Sequence, residues 1–325
     1  MKQAHTRLFP LLLIGSTALI GLSANAQDAY PSQPIKLVVP YNAGGGTDTI
    51  ARHLSDRLSK AFNQPVIIEN KPGANGIIGT RSVATAKPDG YTYALVVNSH
   101  LINPLVSKEL PYDTFKDFIG VTMVARSPLV FLSSASMPIK NIQDFLEQAQ
   151  KPDSKFAYGS SENMTRLVGD MFNYYNKLNM VSISYSGGAP LMADVAGGIT
   201  TMATGSLLSS SAYVQSGKLT PLAVTGQSRT QMWPNVPTMT ELGLKEFDNV
   251  YVTYSIFAPA KTPKAILDKM QKTVALVINQ PEMKEILQKQ AAEPVGNSVE
   301  NFNQQVEKDF ELWRKLAVAI DLKPA

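Results

Sequence analysis

A repeated order of strand, glycine turn and helix constrains the fold of this chain most strongly. Residues 35–39 are an apolar run typical of a buried strand, glycines follow at 44–46, and apolar side chains then recur at helical spacing up to residue 62. Strand and helix signals alternate in this way to about residue 225, and from residue 263 onward the pattern is helical only. The alternation predicts an α/β protein, and the length favours two domains.

The turn after the first strand predicts an anion site. A helix N-terminus carries unpaired backbone N–H groups and the positive end of the helix dipole, and glycine lets a ligand approach the backbone closely. Gly44-Gly45-Gly46 lacks the spacing of a dinucleotide fingerprint and the lysine of a phosphate loop. Two interpretations stay open: a tight turn capped by Asp48, or a site for a small anion, most simply a carboxylate.

The pattern recurs in the second half of the chain. Polar or glycine-rich turns at residues 159–164 and 186–190 each follow a predicted strand and precede a predicted helix. Asn98 and Ser99 end another strand, and because ligands of open α/β sheets bind beyond the carboxyl ends of strands, both are expected in the same cleft. His100 is not expected to activate Ser99, since neighbours on an extended strand point to opposite faces.

The first 26 residues are predicted to be an export signal. Lys2 and Arg7 provide a positive start, an apolar stretch follows, and a small-residue site predicts cleavage after Ala26 and a periplasmic location. Without Lys2 and Arg7, 28 basic residues face 26 acidic ones, a net charge of about +2. So small a charge does not indicate nucleic acid or a membrane surface as a partner.

Composition also limits the chemistry of the chain. There is no cysteine, which excludes a sulfur-ligated metal and a cysteine nucleophile. After removal of the signal only His53 and His100 remain, and neither has a second histidine at ligand spacing, so no metal or cofactor is expected. An exported α/β protein without obvious catalytic groups favours a binding protein.

Two places are predicted where the chain crosses between domains. Strand-like residues 118–124 and 129–133 flank the polar segment 126–128, and residues 253–259 are the last apolar run before the helical tail. We therefore expect one domain of residues 27–127 with 252–325, a second of residues 128–251, and C-terminal helices packed on the first.

Several motifs occur in order along the chain. They are PYNAGGGTDTIAR at 40–52, NKPGANGIIGT at 70–80, KPDGYTYAL at 87–95, SGGAPLMADVAGG at 186–198, SGKLTPLAVT at 216–225, FAPAKTPKAIL at 257–267 and the helix start at Pro281-Glu282. With these motifs the chain resembles the Bug receptors, the extracytoplasmic solute-binding proteins of tripartite tricarboxylate transporters.

The resemblance implies a type II-like, two-domain periplasmic binding fold (a Venus flytrap) whose helical C-terminal segment returns to the first domain. The ligand would be a small carboxylate held between the domains, largely by backbone amides and waters. Carried over by position, the ligand-binding residues would be Tyr41, Ala43, Gly44, Gly45 and Asp48 on one wall, Asn98 and Ser99 beside them, and Ser160, Ser161, Ser186, Gly187, Gly188 and Ala189 on the other.

The chain departs from the family pattern at positions that bear on ligand choice. Asn163 lies in a shortened turn, and Arg166 replaces a helical histidine; Arg166 either pairs with a second carboxylate or faces solvent. Asn42 could donate a hydrogen bond, and the small residues from Thr204 to Ser206 could enlarge the cleft. Tyr41, Asn42 and these small residues favour an aromatic dicarboxylate such as terephthalate. The other ligands that the resemblance allows stay open: aliphatic di- and tricarboxylates, acidic amino acids and aromatic monocarboxylates.

The sequence therefore predicts a monomeric receptor that captures an organic carboxylate and delivers it to an inner-membrane permease. A receptor that reports to a two-component sensor instead is the first alternative. An exported serine hydrolase using Ser160 or Ser161 is the second, disfavoured because no Gly-x-Ser-x-Gly elbow occurs.

Overall fold

The computed structural model describes residues 30–322, and the predicted signal at residues 1–26 lies outside them. Across this described range, ten strands and ten α-helices build two sheets that share one strand. No helix in the same range is both long and apolar enough to cross a bilayer.

The elements follow one another as strand and helix for most of the chain. Before and at the shared strand they are β1 (Ile35–Val39), α1 (Gly46–Phe62), β2 (Val66–Asn70), α2 (Ile77–Ala84), β3 (Thr92–Val96), α3 (Ser99–Val106) and β4 (Phe118–Ser134). The middle elements are α4 (Ile142–Ala149), β5 (Ala157–Ser160), α5 (Asn163–Tyr175), β6 (Val181–Ser184), α6 (Gly188–Ala196), β7 (Met202–Ser206), α7 (Leu207–Gln215) and β8 (Leu219–Val224). The last are β9 (Tyr251–Pro259), α8 (Lys264–Ile278), α9 (Pro281–Lys289), β10 (Glu293–Pro294) and α10 (Val299–Ala319).

We call the two halves of the molecule lobes and define each by its sheet. The first lobe has the strand order β2-β1-β3-β9-β4, in which β1 runs parallel to β2 and β3 while β9 is antiparallel to both of its neighbours. In the second lobe β4 pairs antiparallel with β7 and β8, and β5 runs parallel to β6 and β7. Parallel strands joined through helices confirm the predicted α/β class.

Strand β4 connects the two lobes without a break. The prediction of two strands separated at residues 126–128 was wrong, because Arg126, Ser127 and Pro128 all stay paired with β9. From Leu129 onward the partners change to β7 and β8. The polar segment thus marks where β4 changes sheets, while neighbouring strands keep its backbone extended.

Helix α3 is an element that the sequence analysis missed. Pro104 lies inside it, and a proline normally argues against a helix because it cannot donate to the carbonyl four residues earlier. Here the carbonyl of His100 accepts instead from the Thr114 hydroxyl, at 3.4 Å. This contact and the burial of Ile102 and Val106 stabilise the helix.

The C-terminal helices pack on the first lobe, as predicted. Asn303 of α10 accepts from the Gly120 N–H at 3.0 Å and donates to the Gly120 carbonyl at 2.8 Å. The Phe302 ring lies 5.4 Å from the Phe257 ring, and Trp313 is fully buried. The predicted cap Ser298 accepts from the Asn301 N–H at 3.2 Å, which confirms the start of α10.

Candidate functional site

The first glycine turn leaves β1 and opens α1 without a side-chain cap. Gly45 is the N-cap residue, and helix geometry leaves the N–H groups of Gly46 and Thr47 without an intrahelical acceptor. Gly44 has a φ of +83°, which glycine adopts without strain, and a Cβ built there would meet nothing within 4 Å. The outer side of the turn therefore exposes backbone atoms that no side chain covers.

The carboxylate of Asp48 stabilises this glycine turn through hydrogen bonds. Its side chain is only 2% exposed, and its carboxylate accepts from the Gly44 N–H and Arg52 Nε, both at 2.8 Å, and from Asn70 Nδ2 at 2.9 Å. Burial acts to raise the pKa of Asp48, but these hydrogen bonds outweigh burial, so that the pKa is lowered overall. Asp48 therefore positions the glycine turn. It is not the N-cap of α1, and it does not line the cavity between the lobes.

The second glycine turn has the same construction. It follows β6, and Gly187 is the N-cap of α6, again with no side-chain cap. The Gly187 φ of 169° is extended backbone, and a Cβ there would meet nothing within 4 Å. At Gly188 a Cβ would meet only Ser209 Cβ, at 3.9 Å. This turn also leaves an uncapped helix start open.

Both turns line one cavity of about 680 Å³ between the lobes. Several further residues, which the sequence analysis did not propose, complete its lining. The predicted residues that line the cavity are Tyr41, Asn42, Ala43, Gly44, Gly45, Ser161, Ser186, Gly187, Gly188, Ala189 and Ser206. The unpredicted ones include Glu162, Thr165 and Tyr213 of the second lobe and Val252 and Tyr254 of β9.

Other predicted site residues lie outside this cavity. Asn98 Oδ1 accepts from the Thr253 N–H at 2.7 Å, and its side chain borders a separate cavity of about 710 Å³ beside α10. Ser99 is fully buried, and Thr204 is buried with its hydroxyl donating to the Thr165 carbonyl at 2.8 Å. These side chains are committed to protein contacts.

Ser160, Asn163 and Arg166 line a third cavity, of about 300 Å³, which Ser161 and Glu162 also border. Arg166 Nε lies 3.6 Å from Asp170 Oδ2, one helical turn away on α5. Arg166 therefore neither lines the cavity between the glycine turns nor points entirely into solvent.

Two hydrogen bonds join the lobes where α3 meets the start of α5. The Ser99 hydroxyl donates to Glu162 Oε2 at 3.3 Å, and Asn163 Nδ2 donates to Asn103 Oδ1 at 2.9 Å. Both bonds therefore connect the first lobe to the second beside Glu162, which borders both the main cavity and the smaller one.

Glu162 is the main residue that the sequence analysis overlooked at the site. It lies between Ser161 and Asn163, which were both proposed, at the N-terminus of α5. Burial raises the pKa of Glu162, and the hydrogen bond from Ser99 acts to lower it. Its place directly beside the proposed second wall was the signal that could have identified it.

The histidines lie away from the cavity. Ser99 and His100 share the first turn of α3, so the expectation of an extended strand at this point was wrong. His100 is packed against the rings of Phe118 and Phe257, at 4.9 and 4.7 Å, and burial lowers its pKa to about 3. Residues 30–322 contain no group of three or more His, Asp or Glu side chains placed to hold a metal ion.

Comparisons with known proteins agree on one family. The model of the tripartite tricarboxylate transporter family receptor matches residues 50–322. A UPF0065 protein of Bordetella bronchiseptica is 33% identical over 96% of this chain and 93% of its own length. A solved R. palustris protein with adipate has a TM-score of 0.85 at 29% identity, covering 91% of this chain and 100% of that one. The periplasmic binding protein BugD has a TM-score of 0.82 at 30% identity, with coverage of 91% and 100%.

Proposed function

Because this chain belongs to the tripartite tricarboxylate transporter receptor family, a family of periplasmic solute-binding proteins, we propose that it captures a small organic carboxylate between its lobes. We propose further that it delivers this ligand to an inner-membrane permease and carries out no turnover. The observation that carries the proposal is a pair of helix starts, one from each lobe, that line one cavity and have a glycine N-cap with no side-chain cap.

The chemistry of the two turns supports a carboxylate ligand. Each turn offers neutral N–H donors and the positive end of a helix dipole, which stabilise an anion without a charged partner. Neither turn carries a side chain at the positions where the ligand would approach, at Gly44 and Gly187. The R. palustris neighbour holds adipate, a carboxylate of the same class.

The narrower ligand proposed from the sequence is an aromatic dicarboxylate such as terephthalate. Tyr41 and Tyr254 on the lining could pack against a ring. Arg166 gives this ligand no support, because its guanidinium borders another cavity and lies near Asp170. We keep terephthalate as one candidate among organic acids.

We propose that the lobes close by bending where they are connected. The strand β4 changes partners between Pro128 and Leu129, and β9 begins at Tyr251, opposite Pro128. These positions support the predicted domain boundaries at residues 127/128 and 251/252. A ligand that contacts both turns would favour the closed arrangement by its differential affinity.

Titration calorimetry with matched acids and amides tests the proposal. The panel contains mono-, di- and aminocarboxylates, with adipate and terephthalate among them. We expect at least one acid to bind and its primary amide to bind at least about tenfold more weakly, a loss of roughly 1.4 kcal/mol, because an amide lacks the negative charge. Equal affinity for an acid and its amide would contradict the proposal, as would release of a reaction product.

A further inference from the structure

The cavity of about 710 Å³ beside α10 lies on the other face of the strands that connect the lobes. Tyr251 and Thr253 of β9 line it, together with residues of β4, β10 and α10. Val252 and Tyr254 of the same strand line the cavity between the lobes instead. Because successive side chains of a strand point to opposite faces, β9 separates the two cavities. We call the space on the α10 side the α10 cavity.

Two buried side chains of this lining have an N–H group to which residues 30–322 offer no acceptor. They are Asn98, which is 4% exposed, and Trp313, which is 1% exposed. Oδ1 of Asn98 accepts from the Thr253 N–H at 2.7 Å, so Nδ2 is the free end of the amide. Neither this Nδ2 nor the indole Nε1 is sealed within the protein, and the accessible part of each lies at the cavity. Donors placed in this way require an acceptor from outside the chain.

An acceptor of the same lining lies one helical turn from Trp313. Asp309 is half-buried on α10, and its Oδ1 accepts from Gln305 Nε2 at 2.6 Å. No donor in the described part of the chain bonds to its other oxygen, and burial raises the pKa of Asp309 to about 6. Side chains four residues apart on a helix are neighbours. The α10 cavity therefore places a free N–H donor beside a carboxyl oxygen.

The charges of the α10 cavity balance. Arg126 and Lys308 are the basic residues of the described lining, and two acidic residues face them. One of these acids, Glu293, pairs with Arg126 at 3.2 Å, and the other is Asp309. The formal charge of the lining is therefore zero, which favours a neutral ligand over an anion or a cation.

We propose that the α10 cavity is a second binding site, and that it binds a small, neutral, polyhydroxylated molecule of about the size of a monosaccharide. A hydroxyl oxygen accepts from the N–H groups of Asn98 and Trp313, and a hydroxyl hydrogen is donated to Asp309. The volume of the cavity is in the range of small-molecule sites. This inference goes beyond the proposed function, because the α10 cavity shares no lining residue with the cavity between the lobes.

The fluorescence of Trp313 tests this proposal. The chain has two tryptophans, so Trp233→Phe leaves Trp313 as the single reporter, and it lines the α10 cavity. The neutral probes are D-glucose, D-xylose and myo-inositol; D-glucuronate and D-glucosamine are charged relatives of the first. We expect at least one neutral probe to change the Trp313 emission saturably, with a Kd of about 1 mM or lower. The charged relatives should bind about tenfold more weakly than that probe, because they disturb the balance of charges in the lining.

Two variants in the Trp233→Phe protein assign the binding to this cavity. Asp309→Ala removes the carboxyl acceptor and should weaken binding of the neutral probe about tenfold. Glu307→Ala is the matched control, because Glu307 is an exposed acid on the same helix that does not line the cavity, and it should leave the affinity unchanged. Thermal unfolding verifies that both variants are folded.

Three results would overturn the inference. The first is the absence of a saturable change with all three neutral probes, which would mean that the α10 cavity holds solvent only. The second is equal or tighter binding of a charged relative, and the third is the same affinity in Asp309→Ala as in Glu307→Ala. Carboxylate binding between the lobes is measured separately by calorimetry, so either proposal can fail while the other stands.

Discussion

Replacing Gly187 by leucine should weaken carboxylate binding by about 100-fold or more, a loss of roughly 2.7 kcal/mol. Gly187 forms the N-cap of α6, and a Cβ there meets no protein atom within 4 Å because the position faces open space at the cavity. A leucine side chain would therefore extend into the volume proposed for the ligand. It would also keep a carboxylate away from the backbone donors of the turn.

The fold should tolerate this substitution. The φ of 169° at Gly187 is extended backbone that any residue adopts, and leucine is a poorer N-cap than glycine by at most about 1 kcal/mol. Calorimetric titration and thermal unfolding of the same preparations separate the two effects. Gly197→Leu is the matched control, because Gly197 is exposed, has a φ of −79° and does not line the cavity. Retained affinity in Gly187→Leu would place the ligand elsewhere.

Trp313→Ala should destabilise the protein by about 3–5 kcal/mol, the usual cost of truncating a large buried aromatic side chain. Trp313 is 1% exposed on α10, the helix that also fixes Gly120 of β4 through Asn303. Trp313 borders the cavity of about 710 Å³ beside α10, so removing the indole enlarges that cavity and weakens the contact between the C-terminal helix and the first lobe.

Urea unfolding followed by circular dichroism measures this loss without relying on tryptophan fluorescence. Val318→Ala is the control on the same helix, since Val318 is 71% exposed and its truncation should change the free energy of unfolding by less than about 0.5 kcal/mol. A cost below about 1 kcal/mol for Trp313→Ala would show that α10 contributes little to the stability of the first lobe.

The parts of the fold that depend on local pattern were predictable from the sequence. The apolar run of β1, the glycine turn and the apolar stripe of α1 all lie where periodicity puts them. Asn141 and Ser298 act as the predicted caps, accepting from the N–H groups of Asp144 at 2.9 Å and Asn301 at 3.2 Å. Each of these features is decided by residues close together in the chain.

Features decided by tertiary partners were not predictable. Helix α3 depends on Thr114, which bonds the carbonyl that Pro104 leaves free. The continuity of β4 depends on β9, which lies more than a hundred residues later in the chain and pairs with the polar segment around Ser127. The periodicity of a single sequence does not show which distant residue or strand an element will pair with.

The directions in which individual side chains point at the site could also not be predicted from the sequence. Arg166 was proposed as a partner for a ligand, but on α5 it lies beside Asp170, one turn away. Asp48 was proposed for the ligand wall, but it supports the turn through Arg52 and Asn70. The rotation of a helix about its axis decides which side chains reach a cleft, and that rotation follows from packing.

A crystal structure of the protein with its tightest-binding carboxylate tests the central claim most directly. We predict ligand carboxylate oxygens within about 3.2 Å of backbone nitrogens from both turns, residues 45–47 and residues 188–189. A ligand that binds in another cavity, or whose carboxylate contacts neither turn, would contradict the account.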